Sequence, residues 1–169
     1  MYKRILAPID GSITSAHAFD EAIKIARAND AELQPLYVVD MQPVAYDAAA
    51  TFYPDLRTVL LEEGRRLSAQ AVGRMAREGV KGKPRISEVE LLGDDIAQRI
   101  LHCADDFGAE LVVMGTHGRR GWRRLVLGSV AERFMRLATC PVLLVPGREA
   151  EEDARRREST APTTAQTID

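Results

Sequence analysis

The sequence predicts a single α/β domain with a largely parallel sheet and helices on both of its faces. Five apolar, strand-like segments alternate with four amphipathic, helical segments along the chain, which is the pattern of parallel strands joined by crossover helices. Three of the strand segments contain near-continuous apolar runs, as expected where helices cover both sides of a sheet. A chain of 169 residues is long enough for one well-packed core and short for two.

The predicted strands are short, apolar runs. We expect them at Arg4 to Ile9, Glu32 to Val39, Arg85 to Leu91, Glu110 to Gly115, and Pro141 to Val145.

Four amphipathic helices are expected to follow the first four strands. The first has Ser12 or Thr14 as its N-cap, and the second runs from about Asp55 to Glu78. The third begins at Gly93-Asp94-Asp95 and ends at Gly108, and the fourth covers Val130 to Ala138. The residues expected to face the sheet are Ala18, Ala22, Ile25 and Ala26 in the first helix, Leu56, Leu60, Leu67, Ala71 and Met75 in the second, and Ile96, Ile100, Leu101 and Ala104 in the third.

Two segments lie outside this regular pattern. The connection between Asp40 and Asp55 is longer than most in compact α/β domains, and it is interpreted as a lid, a disordered crossover or a partner surface. From Gly147 onward the chain turns charged and then rich in Thr and Ala, which is typical of a mobile tail. The sequence therefore predicts one domain over residues 1–147 and a charged, disordered tail over residues 148–169.

Composition argues against several functional classes. A formal net charge of -2 gives no global reason to bind nucleic acid or an acidic membrane. No window approaches the length of a membrane span, and the amino terminus enters a strand without a signal-peptide pattern, so we expect a cytoplasmic protein. Cys103 and Cys140 have neither metal-ligand nor redox-motif spacing and are interpreted as buried thiols.

The most informative motif joins the fourth strand to the fourth helix. Gly115-Thr-His-Gly118 follows the apolar run Leu111 to Met114, and after nine intervening residues Gly128-Ser129 opens the last helix. Glycine lets backbone approach a ligand that a Cβ would exclude. Because the free N–H groups of a helix start attract anions, this spacing indicates a cradle for a polyphosphate.

The glycine motif differs from the two common phosphate-binding motifs, and its glycines could have a purely structural role. The motif is not a P-loop, since no lysine follows a glycine in the required register, and it lacks the Gly-x-Gly-x-x-Gly of dinucleotide-binding folds. Glycines can also serve only a long turn and a helix cap.

The flanking residues favour the phosphate reading through a family resemblance. The segments Ile5 to Ser12, Gly115 to Arg133, and Cys140 to Pro146 resemble the universal stress protein family, and Gly-x2-Gly-x9-Gly-Ser is the signature of its ATP-binding branch. The resemblance implies a Rossmann-like, five-stranded parallel sheet of order 3-2-1-4-5, with ATP at the carboxyl ends of the strands. In such a sheet a crevice opens between the first and fourth strands, at the topological switch point.

The resemblance also implies roles for individual residues. Asp10, beside the predicted phosphate site, should accept hydrogen bonds from ribose hydroxyls, although it could instead cap the first helix. The backbone of Val38 or Val39 should meet adenine. The remaining positions expected to contact the nucleotide are Pro8, Met114, Gly115, Thr116, His117, Gly118, Arg119, Gly128, Ser129 and Val130.

A cluster of arginines follows Gly118. Arg119, Arg120, Arg123 and Arg124 would steer and partly neutralise an anionic ligand, or they form a solvated basic loop. Trp122 stands where the family usually has a smaller aliphatic residue.

The preferred functional hypothesis is an ATP-binding universal stress protein acting as a regulatory module. Mg²⁺ would be bound through the phosphates, and the sequence contains no Ser-His-Asp constellation, no paired metal-binding acids and no P-loop lysine. One alternative is slow ATP hydrolysis or autophosphorylation. Another is a dimeric interaction module that does not use nucleotide.

The last strand predicts how two chains would assemble. Pro141 to Val145 is apolar throughout, and in the implied topology it lies at a sheet edge, which invites pairing. We expect a homodimer in which two copies of this strand meet across a two-fold axis. The competing interpretation is an edge strand shielded by the tail.

Overall fold

A five-stranded, fully parallel sheet forms the centre of the computed structural model, which describes residues 1–41, 56–90, 93–118 and 127–147. Its strands lie in the order β3-β2-β1-β4-β5, so the predicted fold class is confirmed. The strands are β1 (Arg4–Pro8), β2 (Glu32–Val39), β3 (Arg85–Glu88), β4 (Leu111–Gly115) and β5 (Val142–Val145). The helices are α1 (Ile13–Asn29), α2 (Leu56–Arg77), α3 (Ile96–Phe107) and α4 (Ser129–Leu137).

The strand ends differ slightly from the predicted ones. The largest difference is in β3, which ends at Glu88 instead of Leu91. Val39 is the last residue of β2, and its carbonyl accepts the N–H of Val89 at 2.9 Å. Past that bond β3 has no strand left to pair with. Leu91, the tail after Gly147 and most of the long connection, residues 42–55, lie outside the described residues.

Two apolar layers cover the sheet because alternate residues of each strand point to opposite faces. On one face, Ile5, Leu33 and Val113 pack beneath α1 and α2. On the other, Leu6, Leu36 and Val112 pack beneath α3 and α4. The helix that follows β1 and the helix that follows β4 therefore leave on opposite sides, which creates a switch point between these two strands.

The helices bury faces that are partly different from the predicted ones. In α1, Phe19 and Ile23 lie in the core while Ile25 is half-buried. In α3, Ala97 and Cys103 are buried, and Ile96 and Leu101 are only half-buried. Ser12 is the N-cap of α1, with its Oγ accepting from Ser15 N at 3.1 Å, and Gly108 ends α3 with φ of 64°.

The predicted apolar stripe of α2 is fully buried only in its second half, where Ala71 and Met75 lie in the core. Leu56, Leu60 and Leu67 are half-buried, whereas Gly64, Ser68, Ala71 and Met75 are buried. A Cβ on Gly64 would stand 2.7 Å from Cδ1 of Tyr37, a ring that is only 2% exposed. The glycine thus makes room for a tyrosine of β2, a cross-element contact that helical periodicity does not reveal.

We expect Gly64→Ala to lower the free energy of unfolding by about 1–2 kcal/mol, because overpacking against Tyr37 outweighs the gain in helix propensity. Chemical denaturation would measure this. Gly73→Ala is the matched control on the same helix, since its Cβ would meet only Arg77 Nη1, at 4.0 Å. The control should stabilise the protein by about 0.5–1 kcal/mol, and equal effects at the two positions would contradict the Tyr37 contact.

Candidate functional site

The carboxyl ends of β1 and β4 open into a cavity of about 420 Å³. The starts of α1, α3 and α4 and the end of β2 complete its walls. Eleven of the predicted site residues line it: Pro8, Asp10, Val38, Met114, Gly115, Thr116, His117, Gly118, Gly128, Ser129 and Val130.

Two predicted site residues are not placed there. Val39 is 1% exposed and packs in the layer beneath α1 and α2, because it points to the opposite face of the strand from Val38. Of the two valines offered for adenine, the structure brings only Val38 to the cavity. Arg119, like the other arginines of its cluster, lies outside the described residues.

Other residues line the cavity without having been predicted: Ile9, Ser15, Leu36, Tyr37, Asp40, Leu60, Ile96, Ile100 and Ala131. Most are apolar, and in the sequence they cannot be told from ordinary core residues. Asp40 is different, because it follows the end of β2 directly, much as Asp10 follows the end of β1. A carboxylate just after the carboxyl end of a parallel strand could have indicated Asp40 from the sequence.

Asp10 is held in a fixed turn at the rim of the cavity. Its Oδ1 accepts the N–H of Ser12 at 2.9 Å, and its own N–H donates to Ser15 Oγ at 3.2 Å. Ser15 Oγ in turn donates to the Ser12 carbonyl at 3.3 Å. Ser12, and not Asp10, is the N-cap of α1. The Asp10 side chain instead stabilises the turn that leads into the helix.

Two glycines of the motif allow close packing within the chain. A Cβ on Gly115 would lie 2.8 Å from Thr14 Cγ2, and one on Gly128 would lie 3.1 Å from the Thr116 carbonyl oxygen. That same carbonyl accepts the N–H of Gly128 at 2.8 Å. The bond pins the start of α4 against the end of β4, which brings the two halves of the motif together.

The amino terminus of α4 faces this junction. Gly128 is its N-cap, in extended conformation with φ of -64° and ψ of 146°, and none of the described side chains caps the helix. The N–H groups of residues 129–131 precede the first intrahelical donor, Glu132, which bonds to the Gly128 carbonyl at 2.9 Å. These amides and the positive end of the helix dipole are suited to an anion.

Helices α3 and α4 are tied together beside the cavity. Arg133 Nε of α4 lies 2.5 Å from Asp95 Oδ2, and Asp95 also caps α3 by accepting the N–H of Gln98 at 2.9 Å. Ile96 and Ile100 follow directly and line the cavity on its apolar side. This wall is therefore fixed relative to the start of α4.

The cysteines are outside the cavity lining. Burial raises the pKa of the Cys103 thiol and, in the same way, that of Cys140. Cys103 is fully buried as predicted, whereas Cys140 is half-buried. A raised thiol pKa keeps both side chains in the unreactive protonated form.

At the cavity wall, Thr116 Oγ1 lies 3.0 Å from His117 Nδ1. Within the four described ranges, no group of three or more His, Cys, Asp or Glu side chains is arranged to hold a metal ion.

Across the same part of the chain, every helix is too short or too polar to cross a lipid bilayer.

Known proteins share this architecture. The model of the universal stress protein family matches residues 1–146. A universal stress protein of Methanocaldococcus jannaschii is 41% identical over 146 residues, covering 86% of this chain and 82% of that protein. A protein of the same family from Burkholderia pseudomallei, solved by crystallography, is 44% identical with a TM-score of 0.67 over 86% of this chain and 96% of its own.

A more distant structure shows the same fold. It is a family protein from Arabidopsis thaliana solved with AMP bound, 21% identical with a TM-score of 0.64 over 88% of this chain and 94% of its own. The family model covers most of the chain, and the archaeal relative matches over most of its own length. The chain therefore belongs to the universal stress protein family.

Proposed function

We propose that the cavity binds ATP and that the chain acts as a regulatory nucleotide-binding module of the stress response. The observation that carries the proposal is the start of α4, where the amides of residues 129–131 face a cavity at the switch point of a parallel sheet. A volume of about 420 Å³ suits a nucleotide-sized ligand.

The chemistry of the cavity wall suggests how ATP would lie. Ile96, which is half-buried at the start of α3, offers an apolar surface for a planar base, close to the backbone of Val38. Asp10, at the rim between this surface and the glycine motif, is suited to accept hydrogen bonds from ribose hydroxyls. The phosphates would then reach Gly128, Ser129 and Val130, and Mg²⁺ would be held through them. AMP bound to the Arabidopsis protein is consistent with an adenine nucleotide in this fold.

We expect Asp10→Ala to weaken ATP and adenosine binding by similar factors, about tenfold each, since both ligands contain the ribose. Isothermal titration calorimetry with the two ligands would measure this. Ser129→Ala is the matched comparison, because loss of its hydroxyl should affect ATP alone. Adenosine affinity that is unchanged in a folded Asp10→Ala protein would contradict the ribose assignment.

The proposed function itself is tested on the wild-type protein. Mass spectrometry of small molecules released from natively purified protein should detect an adenine nucleotide, and calorimetry should show ATP binding. If ATP binds, the release of ADP can be compared between the wild-type protein and an Asp10→Ala variant. More ADP from the wild-type protein would indicate ATP hydrolysis instead of regulation by binding alone. Absence of any ATP binding would favour an interaction module that does not use nucleotide.

We further propose a homodimer formed through β5, which lies at one edge of the sheet. Leu143 of β5 is a large apolar side chain that is 37% exposed. An edge strand with an exposed apolar side chain is suited to pair with a second copy of itself. A cytoplasmic location stays a prediction from the sequence.

A further inference from the structure

Gly118 and Asp10 meet across the mouth of the cavity. A Cβ added to Gly118 would stand 2.7 Å from Asp10 Oδ2 and 3.9 Å from its Cγ. Apart from the chain neighbours of Gly118, the Asp10 carboxyl group is the only group of the described residues within 4 Å of that position. Real Cβ atoms do not approach other atoms below 3.0 Å, so a side chain here and the carboxylate cannot both keep these positions.

The carboxylate has little freedom to move aside. Its Oδ1 is bonded to the N–H of Ser12 at 2.9 Å, and the backbone of Asp10 is bonded to the buried Ser15. Rotation away from residue 118 would break the Ser12 bond or change the turn that leads into α1. The backbone of Gly118 is not in the left-handed conformation that favours glycine. A side chain at this position is therefore opposed by the contact with Asp10 and not by backbone strain.

We propose that Gly118 is a positioning residue for Asp10. Because Gly118 has no side chain, the ribose-binding carboxylate of Asp10 can occupy the space beside it. This inference rests on the proposed function, and it gives Gly118 a role beyond letting backbone approach the phosphates. The two roles make different predictions. A methyl group that only obstructs phosphates spares adenosine, whereas a methyl group that displaces Asp10 weakens every ligand that carries a ribose.

The experiment is a double-mutant cycle with Gly118→Ala, Asp10→Ala and the combined variant, titrated with adenosine and with ATP. Gly118→Ala should weaken both ligands by about tenfold in the wild-type background. In the Asp10→Ala background the same change should alter adenosine affinity by less than about twofold, because the group it displaces is gone. Gly73→Ala in α2, where a Cβ would meet only Arg77 Nη1 at 4.0 Å, should leave both affinities unchanged.

Losses that multiply in the combined variant, or a Gly118→Ala protein that loses ATP but keeps adenosine, would overturn the inference. A wild-type protein that binds neither ligand would instead remove the proposed function. A ligand-free measurement keeps the two separate: the carboxyl ¹³C resonance of Asp10 should shift in Gly118→Ala and not in Gly73→Ala.

An unshifted resonance shows that the contact is absent and overturns the inference regardless of ligand binding. If Gly118→Ala fails to fold, adding Asp10→Ala should restore folding. A combined variant that also fails to fold would show that Asp10 is not the obstacle.

Discussion

Proline in place of Leu144 is expected to turn the proposed dimer into a folded monomer. The direction of the backbone groups of β5 gives the reason. Val112 N donates to the Pro141 carbonyl and Thr116 N to the Val145 carbonyl, each at 3.0 Å. Because backbone groups alternate along a strand, residues 141, 143 and 145 face β4, whereas Val142 and Leu144 face the open edge.

A proline at Leu144 therefore removes an edge-facing donor and places a ring on the partner's side. The two-fold axis applies the change twice, and at about 1 kcal/mol for each lost bond, together with the clash, the dimer should weaken by about a hundredfold or more. Light scattering at micromolar concentration should return the monomer mass, while thermal denaturation should still show a cooperative transition.

Leu143→Pro provides the internal comparison. The Leu143 N–H faces β4, so its loss should lower the free energy of unfolding of the protomer by about 1–3 kcal/mol. The sequence alone treats these two leucines as equivalent, and the ladder separates them. A Leu144→Pro protein that stays dimeric, or a wild-type protein that is monomeric, would exclude this interface.

Gly128→Val is expected to weaken ATP binding by more than about a hundredfold and adenosine binding by less than about threefold. The backbone of Gly128, with φ of -64° and ψ of 146°, is accessible to valine. The difficulty is space, since its Cβ would lie 3.1 Å from the Thr116 carbonyl oxygen and 3.4 Å from His117 Cα. Two further methyl groups would push the start of α4 away from β4 and separate the amides from the phosphates.

Calorimetry with both ligands measures this effect, and far-UV circular dichroism checks the fold. Ser129→Ala is the control, because it keeps every backbone amide and should cost ATP binding less than about fivefold. If Gly128→Val binds ATP normally, or if adenosine is lost to the same extent as ATP, the start of α4 is not the phosphate site.

The strands were predictable because a buried parallel strand leaves a continuous apolar run. The run Leu111 to Met114 is buried throughout, and no amphipathic alternative competes with it. Strand order is different in kind, since no local propensity determines which strands become neighbours. It followed from the family resemblance, and the confirmed pairing of Ile5 with Leu111 joins segments far apart in the chain.

The site was only partly predictable for physical reasons. Glycine spacing and strand ends mark the carboxyl edge of the sheet, so Gly115 and Gly128, which line the cavity, could be named from the sequence. The wall formed by Leu36, Ile96 and Ile100 was missed because a side chain that lines an apolar cavity has the same sequence signature as one that fills a core. Ser15 was missed because its hydroxyl acts through the backbone of Asp10.

If the cavity binds nucleotide as proposed, the pairing of β1 with β4 couples that binding to the stability of the fold. Both walls of the cavity come from this pair and the helices that follow. A chain in which the two strands have separated therefore lacks the cavity and cannot bind the ligand there. A ligand that binds only the native state adds RT ln(1 + [L]/Kd) to the free energy of unfolding, about 2.7 kcal/mol at a hundred times Kd. Nucleotide concentration would then set the lifetime of this protein against proteolysis.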